Sequence, residues 1–142
     1  MKRALIAGLI AGVIAGAVAF TLCYVGIKME VPILSYRYAL HRISPLTFGL
    51  RDIALGIIWG VIFSTIYSYF YDYIPGTGVR KGFIFSLILW AAGSVRPAAL
   101  SGAHAWTYAV WLWAAALTFV GFLSTCTAYG LVLGALYKKP SD

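Results

Sequence analysis

The chain opens with a long uncharged stretch, ALIAGLIAGVIAGAVAFTLCYVGI, residues 4–27. An α-helix needs about 20 apolar residues to cross the hydrocarbon core of a bilayer, so this stretch is long enough to span one. It imitates a signal peptide, because Lys2 and Arg3 precede it and small residues at 17–19 resemble a cleavage site. Since the apolar run continues for eight more residues, we expect a retained first transmembrane helix.

The composition of the whole chain also indicates a membrane protein. Of the 142 residues, 62% are hydrophobic and 11% are charged, and the mean hydropathy is +0.88. Soluble domains are about half apolar and about a quarter charged, and a small domain could not bury this much apolar surface. The composition therefore predicts one integral membrane domain over residues 1–142, of all-α fold class.

Three further apolar runs follow the first. Arg51 and Asp52 precede the second run, and the turn-forming residues IPGTG, 74–78, separate it from the third. We predict a four-helix bundle with helices over approximately 4–27, 51–72, 82–98 and 106–137. The last of these would extend about 47 Å as one helix, so it must tilt or project beyond a core of about 30 Å.

The polar connection between the first two helices has a helical pattern of its own. Pro32 is a favoured first helical residue, and apolar residues then recur at helical spacing as far as Ile43. This pattern predicts a short amphipathic helix over approximately 32–44 that lies in the membrane interface and ends at Pro45.

The net charge of +7 comes mostly from basic residues beside the apolar runs. Pairs such as Arg80-Lys81 and Lys138-Lys139 are typical of topology anchors at lipid headgroups, so we expect no nucleic-acid partner. With four spans, both termini lie on one side, and the compact basic pairs on that side indicate that it is cytoplasmic.

Small residues recur at four-residue spacing on three of the predicted helices. Such stripes let helix backbones approach closely in lipid. The first helix also carries a second stripe, Ala7, Ala11, Ala15, Ala19 and Cys23. We expect the first and second helices to pack through their stripes, and a stripe left over could serve an oligomer interface. The helix-packing candidates are Gly8, Gly12, Gly16, Gly56, Gly60, Ser64, Ser68, Gly130 and Gly134.

Arg96 lies inside an apolar run, where an arginine needs an explanation. Its Cα would lie roughly 21 Å beyond the start of the third helix, near the opposite interface. Asp52 is the one acidic residue at that end of a predicted helix. We therefore predict an Asp52–Arg96 contact, with Pro97 ending or kinking the third helix just beyond it.

Several cationic or titratable side chains are assigned to the same membrane face as Arg96. If they share one pocket, they could bind a lipid phosphate, a carboxylate or a small oxyanion, because Arg suits such groups. The alternative is that they are separate interfacial residues. The candidates are Arg37, His41, Arg42, Arg51, Arg96 and His104.

No pattern of reactive residues predicts catalysis or a cofactor. The chain has no GxSxG, HExxH or Walker sequence, and no Cys or carboxylate cluster supports a metal. We expect Cys23 and Cys126 to be ordinary buried thiols. The tyrosines at 67, 69, 71 and 73 are interpreted as interfacial anchors, and bulky residues of the second helix, Tyr67 among them, as facing lipid or a partner.

The segment from Gly56 to Gly93, with its GIIWG, YIPGTGVRKGFIF and LILW, is similar in style to small four-helix membrane proteins of bacteria and archaea. The resemblance implies a prokaryotic inner-membrane protein and no particular activity. Together with the stripes, it favours a non-enzymatic protein that acts by assembly, as a homo-oligomer or an accessory subunit of a membrane complex. Binding or transport of an anionic small molecule or lipid headgroup is the alternative.

Overall fold

The computed structural model describes residues 2–28, 44–102 and 108–138, with side chains described within 2–25, 44–93 and 119–138 and at Lys28. This part of the chain is helical apart from Ser44, the turn at 71–77 and residues 137–138. Its four helices are α1 (Lys2–Lys28), α2 (Pro45–Phe70), α3 (Gly78–Gly102) and α4 (Tyr108–Leu136). The prediction of an all-helical, four-helix architecture is confirmed.

Three of these helices contain segments that are long and apolar enough to cross a membrane. The segments are Lys2–Val25 in α1, Gly49–Phe70 in α2 and Phe119–Leu136 in α4. The exteriors of the same helices carry large apolar side chains such as Leu9, Ile58 and Val120. A surface of this kind is stable in lipid and unfavourable in water.

The predicted start of the second helix is wrong by six residues. Pro45 begins α2, and Ser44 is the N-cap residue, whose Oγ accepts a hydrogen bond from the backbone N of Thr47 at 3.2 Å. Proline is favoured at this position because the first helical N–H has no partner inside the helix. Arg51 and Asp52 therefore lie almost two turns inside α2. The predicted interfacial helix, 32–44, falls almost wholly outside the described residues.

The third helix is longer than predicted at both ends. It begins at Gly78, with Arg80 and Lys81 in its first turn, and it runs through Pro97 to Gly102. Pro97 therefore does not end the helix. A proline inside a helix removes one backbone hydrogen bond and can kink the helix without ending it. Gly76 and Gly78 have φ angles of +101° and +45°, which allow the tight turn before α3.

The helices form two antiparallel hairpins that meet along α1 and α4. α1 packs against α2 and α4, and α3 packs against α4, which gives the spatial order α2–α1–α4–α3. We call the end of the bundle where α1 begins and α4 ends the terminal end, and the opposite end the loop end. Ala4, Ile74 and Tyr137 at the terminal end belong to one buried cluster, which extends along α1 as far as Ala15.

Candidate functional site

The first feature of the interior is a glycine seam between α1 and α2. A Cβ on Gly60 would lie 2.7 Å from the Cα of Gly12, and one on Gly16 would lie 2.8 Å from the Cα of Ile53. Real Cβ atoms do not approach backbone this closely, so the helices can touch only where these side chains are absent. The seam also includes Gly8 against Ser64 and Gly12 against Gly56.

A second glycine seam joins α3 to α4. A Cβ on Gly82 would lie 2.7 Å from the Cα of Gly134, and one on Gly134 would lie 2.7 Å from the carbonyl oxygen of Gly78. Gly130 lies against Gly82 and Ser86. The four-residue spacing predicted the two α4 glycines as packing residues but not their α3 partners Gly78, Gly82 and Ser86.

The other small residues of the predicted stripes have different positions. Ser68 is half-buried, and its hydroxyl donates to the carbonyl oxygen of Thr65 at 2.8 Å on its own helix. Ala7, Ala11 and Ala15 are buried in the core. The idea that α1 keeps one small stripe free for an oligomer is therefore wrong over this part of the helix. Both stripes are used within the chain, because α1 lies between α2 and α4.

The second feature is a buried group of rings at the terminal end, which we call the tyrosine cluster: Tyr67, Tyr71, Phe85 and Tyr137. The ring centroid of Tyr67 lies 5.5 Å from that of Tyr71, 5.1 Å from that of Phe85 and 5.6 Å from that of Tyr137. The rings of Tyr71 and Tyr137 lie 5.2 Å apart. These tilted and edge-to-face arrangements are favourable for aromatic rings.

The interpretation of the four tyrosines of the α2 region as interfacial anchors is wrong for Tyr67. Its side chain is 0% exposed, whereas Tyr69 and Tyr73 are 69% and 83% exposed. Residues four apart share a helix face, so Tyr67 and Tyr71 point inward together while their neighbours point outward. The side chain of Tyr67 also does not face lipid.

Lys81 connects the tyrosine cluster to the polar surface. Its Nζ donates a hydrogen bond to the carbonyl oxygen of Tyr71 at 2.6 Å, and it lies 4.1 Å from the centroid of the Tyr71 ring. The last carbonyls of a helix have no partner inside the helix and carry partial negative charge. Lys81 therefore caps α2 and holds the first turn of α3 against it.

Hydroxyl groups of the described interior bond mostly to backbone carbonyls. Ser64 donates to Val61 at 3.0 Å and Ser86 donates to Phe83 at 2.7 Å, each within its own helix. Tyr129 crosses from α4 to α2, where its Oη donates to the carbonyl oxygen of Gly60 at 2.8 Å. The Oη of Tyr67 is buried and has no hydrogen-bond partner among the residues that the structure describes.

Among the residues that the structure describes, no three His, Cys, Asp or Glu side chains lie close enough together to hold a metal ion. Cys126 is buried and Cys23 is half-buried, and they form no disulfide. The described interior is therefore an apolar packing core with hydroxyl groups.

The predicted cationic cluster lies mostly outside the part of the chain that the structure describes. Arg37, His41, Arg42 and His104 fall in 29–43 and 103–107. Arg96 belongs to α3, but its side chain is outside the described set. Arg51 is exposed and Asp52 is half-buried, with the Asp52 carbonyl oxygen 2.9 Å from where a Cβ of Gly16 would lie. The Asp52–Arg96 contact and the shared anion pocket stay predictions.

Comparison with protein-family models, curated proteins and solved structures finds no match to this chain.

Proposed function

We propose that this chain is a multi-pass membrane protein that acts by assembly, as a homo-oligomer or as an accessory subunit of a larger membrane complex. The observation that carries the proposal is the position of Gly121 on α4. A Cβ built on Gly121 would meet no described atom within 4 Å. The other helical glycines whose surroundings are described, in contrast, all meet a neighbouring helix or side chain.

Glycine in a helix is unfavourable relative to alanine by about 1 kcal/mol. At the two seams this cost is offset by close packing of backbones, but within this chain nothing described offsets it at Gly121. In membrane helices, small residues are enriched where another helix packs. Gly121 is half-buried, and the described residues leave space beside it, which fits a helix supplied by a second molecule.

The residues after Gly121 are compatible with such a contact. Ser124 donates its hydroxyl to the carbonyl oxygen of Val120, and Thr125 donates to that of Gly121, both at 2.9 Å. Because both hydroxyl groups already donate within α4, neither needs a water molecule. The side chains themselves are small, so another helix could approach closely. We define the Gly121 face as Gly121, Ser124 and Thr125.

The proposal places α3 as a fourth span beside the three apolar helices. Its 25 residues would extend about 37 Å at 1.5 Å per residue, enough to cross a core of about 30 Å. Exposed Lys2, Arg3, Arg80 and Lys138 lie at the terminal end, which supports a cytoplasmic location for both termini by the positive-inside rule. We propose the inner membrane of a prokaryote as its location.

The test of assembly compares two substitutions of equal bulk. Gly121→Leu adds a large side chain to the Gly121 face, and Ala54→Leu adds one to an exposed position of α2. Native mass spectrometry of the detergent-solubilised protein reports subunit number. We expect wild type and Ala54→Leu to show the same oligomer or complex, and Gly121→Leu to show the separated chain.

Helix content from circular dichroism must be unchanged in both variants, which separates loss of assembly from loss of fold. A second kind of subunit in the wild-type complex would identify the accessory form of the proposal. Wild-type protein that is monomeric without a partner, or equal dissociation of both variants, would contradict it.

A further inference from the structure

The terminal end of the bundle brings basic residues from three separate helix ends around the tyrosine cluster. Ala4 and Tyr137 are members of the same buried cluster, so Lys2 and Arg3 precede one member and Lys138 follows another. Lys81 stacks on Tyr71. We define the terminal basic patch as Lys2, Arg3, Arg80, Lys81 and Lys138.

Four members of the patch are exposed, and Lys81 is half-buried. The Arg80 side chain covers Gly76, because a Cβ built on Gly76 would lie 2.9 Å from the Cδ of Arg80. The aliphatic part of Arg80 therefore lies over the turn before α3. Among the described residues at this end, Asp72 is the one acid. Cations of the patch therefore outnumber acids by five to one.

The loop end has a lower density of described cations. Lys28 and Arg51 are exposed there, and half-buried Asp52 is adjacent to Arg51. The Nζ of Lys28 lies 5.8 Å from the centroid of the Tyr24 ring. These two residues give a control, because they are also exposed cations and they belong to the opposite half of the bundle.

We infer that the terminal basic patch binds the headgroups of anionic phospholipids. A patch at the end of three apolar spans lies at the depth of the lipid phosphates, and exposed Tyr69 and Tyr73 beside it are of the residue type that occupies this interfacial layer. Clusters of four or more Lys and Arg at this position attract anionic lipid. Lys81 is held by the Tyr71 carbonyl oxygen, so the four exposed cations make the headgroup contacts.

The binding of anionic lipid comes from the sum of several charges. It is independent of the proposed assembly, because it needs no second protein. Each Lys or Arg near an anionic surface contributes about a fivefold preference for the charged lipid. Screening reduces this value, since the Debye length at physiological ionic strength is about 8 Å. Removing three of the four exposed cations should still lower the preference by about tenfold or more.

The test uses full-length protein in vesicles that contain equal amounts of phosphatidylcholine and phosphatidylglycerol. The protein is extracted in mild detergent, and native mass spectrometry counts the retained lipids of each kind. The variant Arg3→Gln/Arg80→Gln/Lys138→Gln is compared with Lys28→Gln/Arg51→Gln and with wild type. Circular dichroism of each sample checks that helix content is equal.

We expect wild type and the loop-end variant to retain phosphatidylglycerol in preference to phosphatidylcholine, and the terminal-end variant to lose this preference by about tenfold. The retained phosphatidylglycerol should also fall when extraction is done at high salt. Equal retention of phosphatidylglycerol by the terminal-end variant and wild type would overturn the inference. So would an equal loss in the loop-end variant, because the binding would then not belong to this end.

Discussion

Substitution of Gly60 by alanine tests the close contact between α1 and α2. A Cβ at this position would lie 2.7 Å from the Cα of Gly12 and closer still to the carbonyl oxygen of Gly8. Carbon atoms pack favourably at about 3.5–4.0 Å, so the two helices would have to separate by about 1 Å. A gap of that size removes a quarter to a half of the dispersion attraction of each affected atom pair.

The expected loss of stability follows from two opposing effects. Overpacking costs about 1–3 kcal/mol, and alanine in place of glycine returns at most about 1 kcal/mol of helix propensity. Gly60→Ala should therefore lower the free energy of unfolding by as much as about 2 kcal/mol, and by about 1–3 kcal/mol relative to a glycine-to-alanine change that meets no neighbour. The matched control is Gly121→Ala, where the added Cβ meets no described atom and stability should stay equal or rise slightly.

The assay is reversible unfolding in mixed micelles with increasing SDS, followed by circular dichroism at a dilution where the protein is monomeric. Dilution matters because Gly121 lies on the proposed assembly face. If Gly60→Ala is as stable as Gly121→Ala, the backbones of α1 and α2 are not in contact at this seam and the packing argument is wrong.

Three further experiments, with four substitutions in all, test other parts of the structure in the same unfolding assay. Tyr129→Phe removes the hydrogen bond to the Gly60 carbonyl oxygen. The free energy of unfolding should fall by about 0.6 kcal/mol, the average for such bonds in membranes. An unchanged free energy of unfolding would show that the bond does not form. Tyr67→Phe removes a buried hydroxyl that has no partner within the described part of the chain. It should leave stability equal or raise it by about 1 kcal/mol, whereas a loss would reveal an acceptor. Asp52→Asn and Arg96→Leu, alone and together, should show a coupling energy above about 0.5 kcal/mol if the two residues are in contact, and additive effects would refute the pair.

The number and approximate positions of the helices could be predicted from the sequence because long apolar runs separated by turn residues have few other folds available. Helix ends were harder to predict where charged residues lie inside helices. Arg51 and Asp52 suggested a start that is six residues late, because the N-cap at Ser44 and the proline after it are a weaker signal than a pair of charges. Arg80 and Lys81 concealed the true start of α3 in the same way.

The α1–α2 seam could be anticipated because its glycines recur every four residues on both helices. The α3 half of the second seam was missed, although GFIFS at 82–86 nearly repeats GVIFS at 60–64, and this similarity marks the same Gly-x-x-x-Ser spacing. Sequence alone also could not assign the tyrosines to inner or outer faces. That assignment depends on which side of α2 faces the other helices, which is a property of the tertiary structure.

The most direct test of the central claim is solid-state NMR of the protein in lipid bilayers with glycine Cα carbons labelled. Two backbone seams of glycine should give cross-peaks between Gly12 and Gly60 and between Gly82 and Gly134, because these backbones are in contact. If these cross-peaks are absent and the same glycine Cα signals instead correlate with lipid acyl chains, the helices do not pack through glycine.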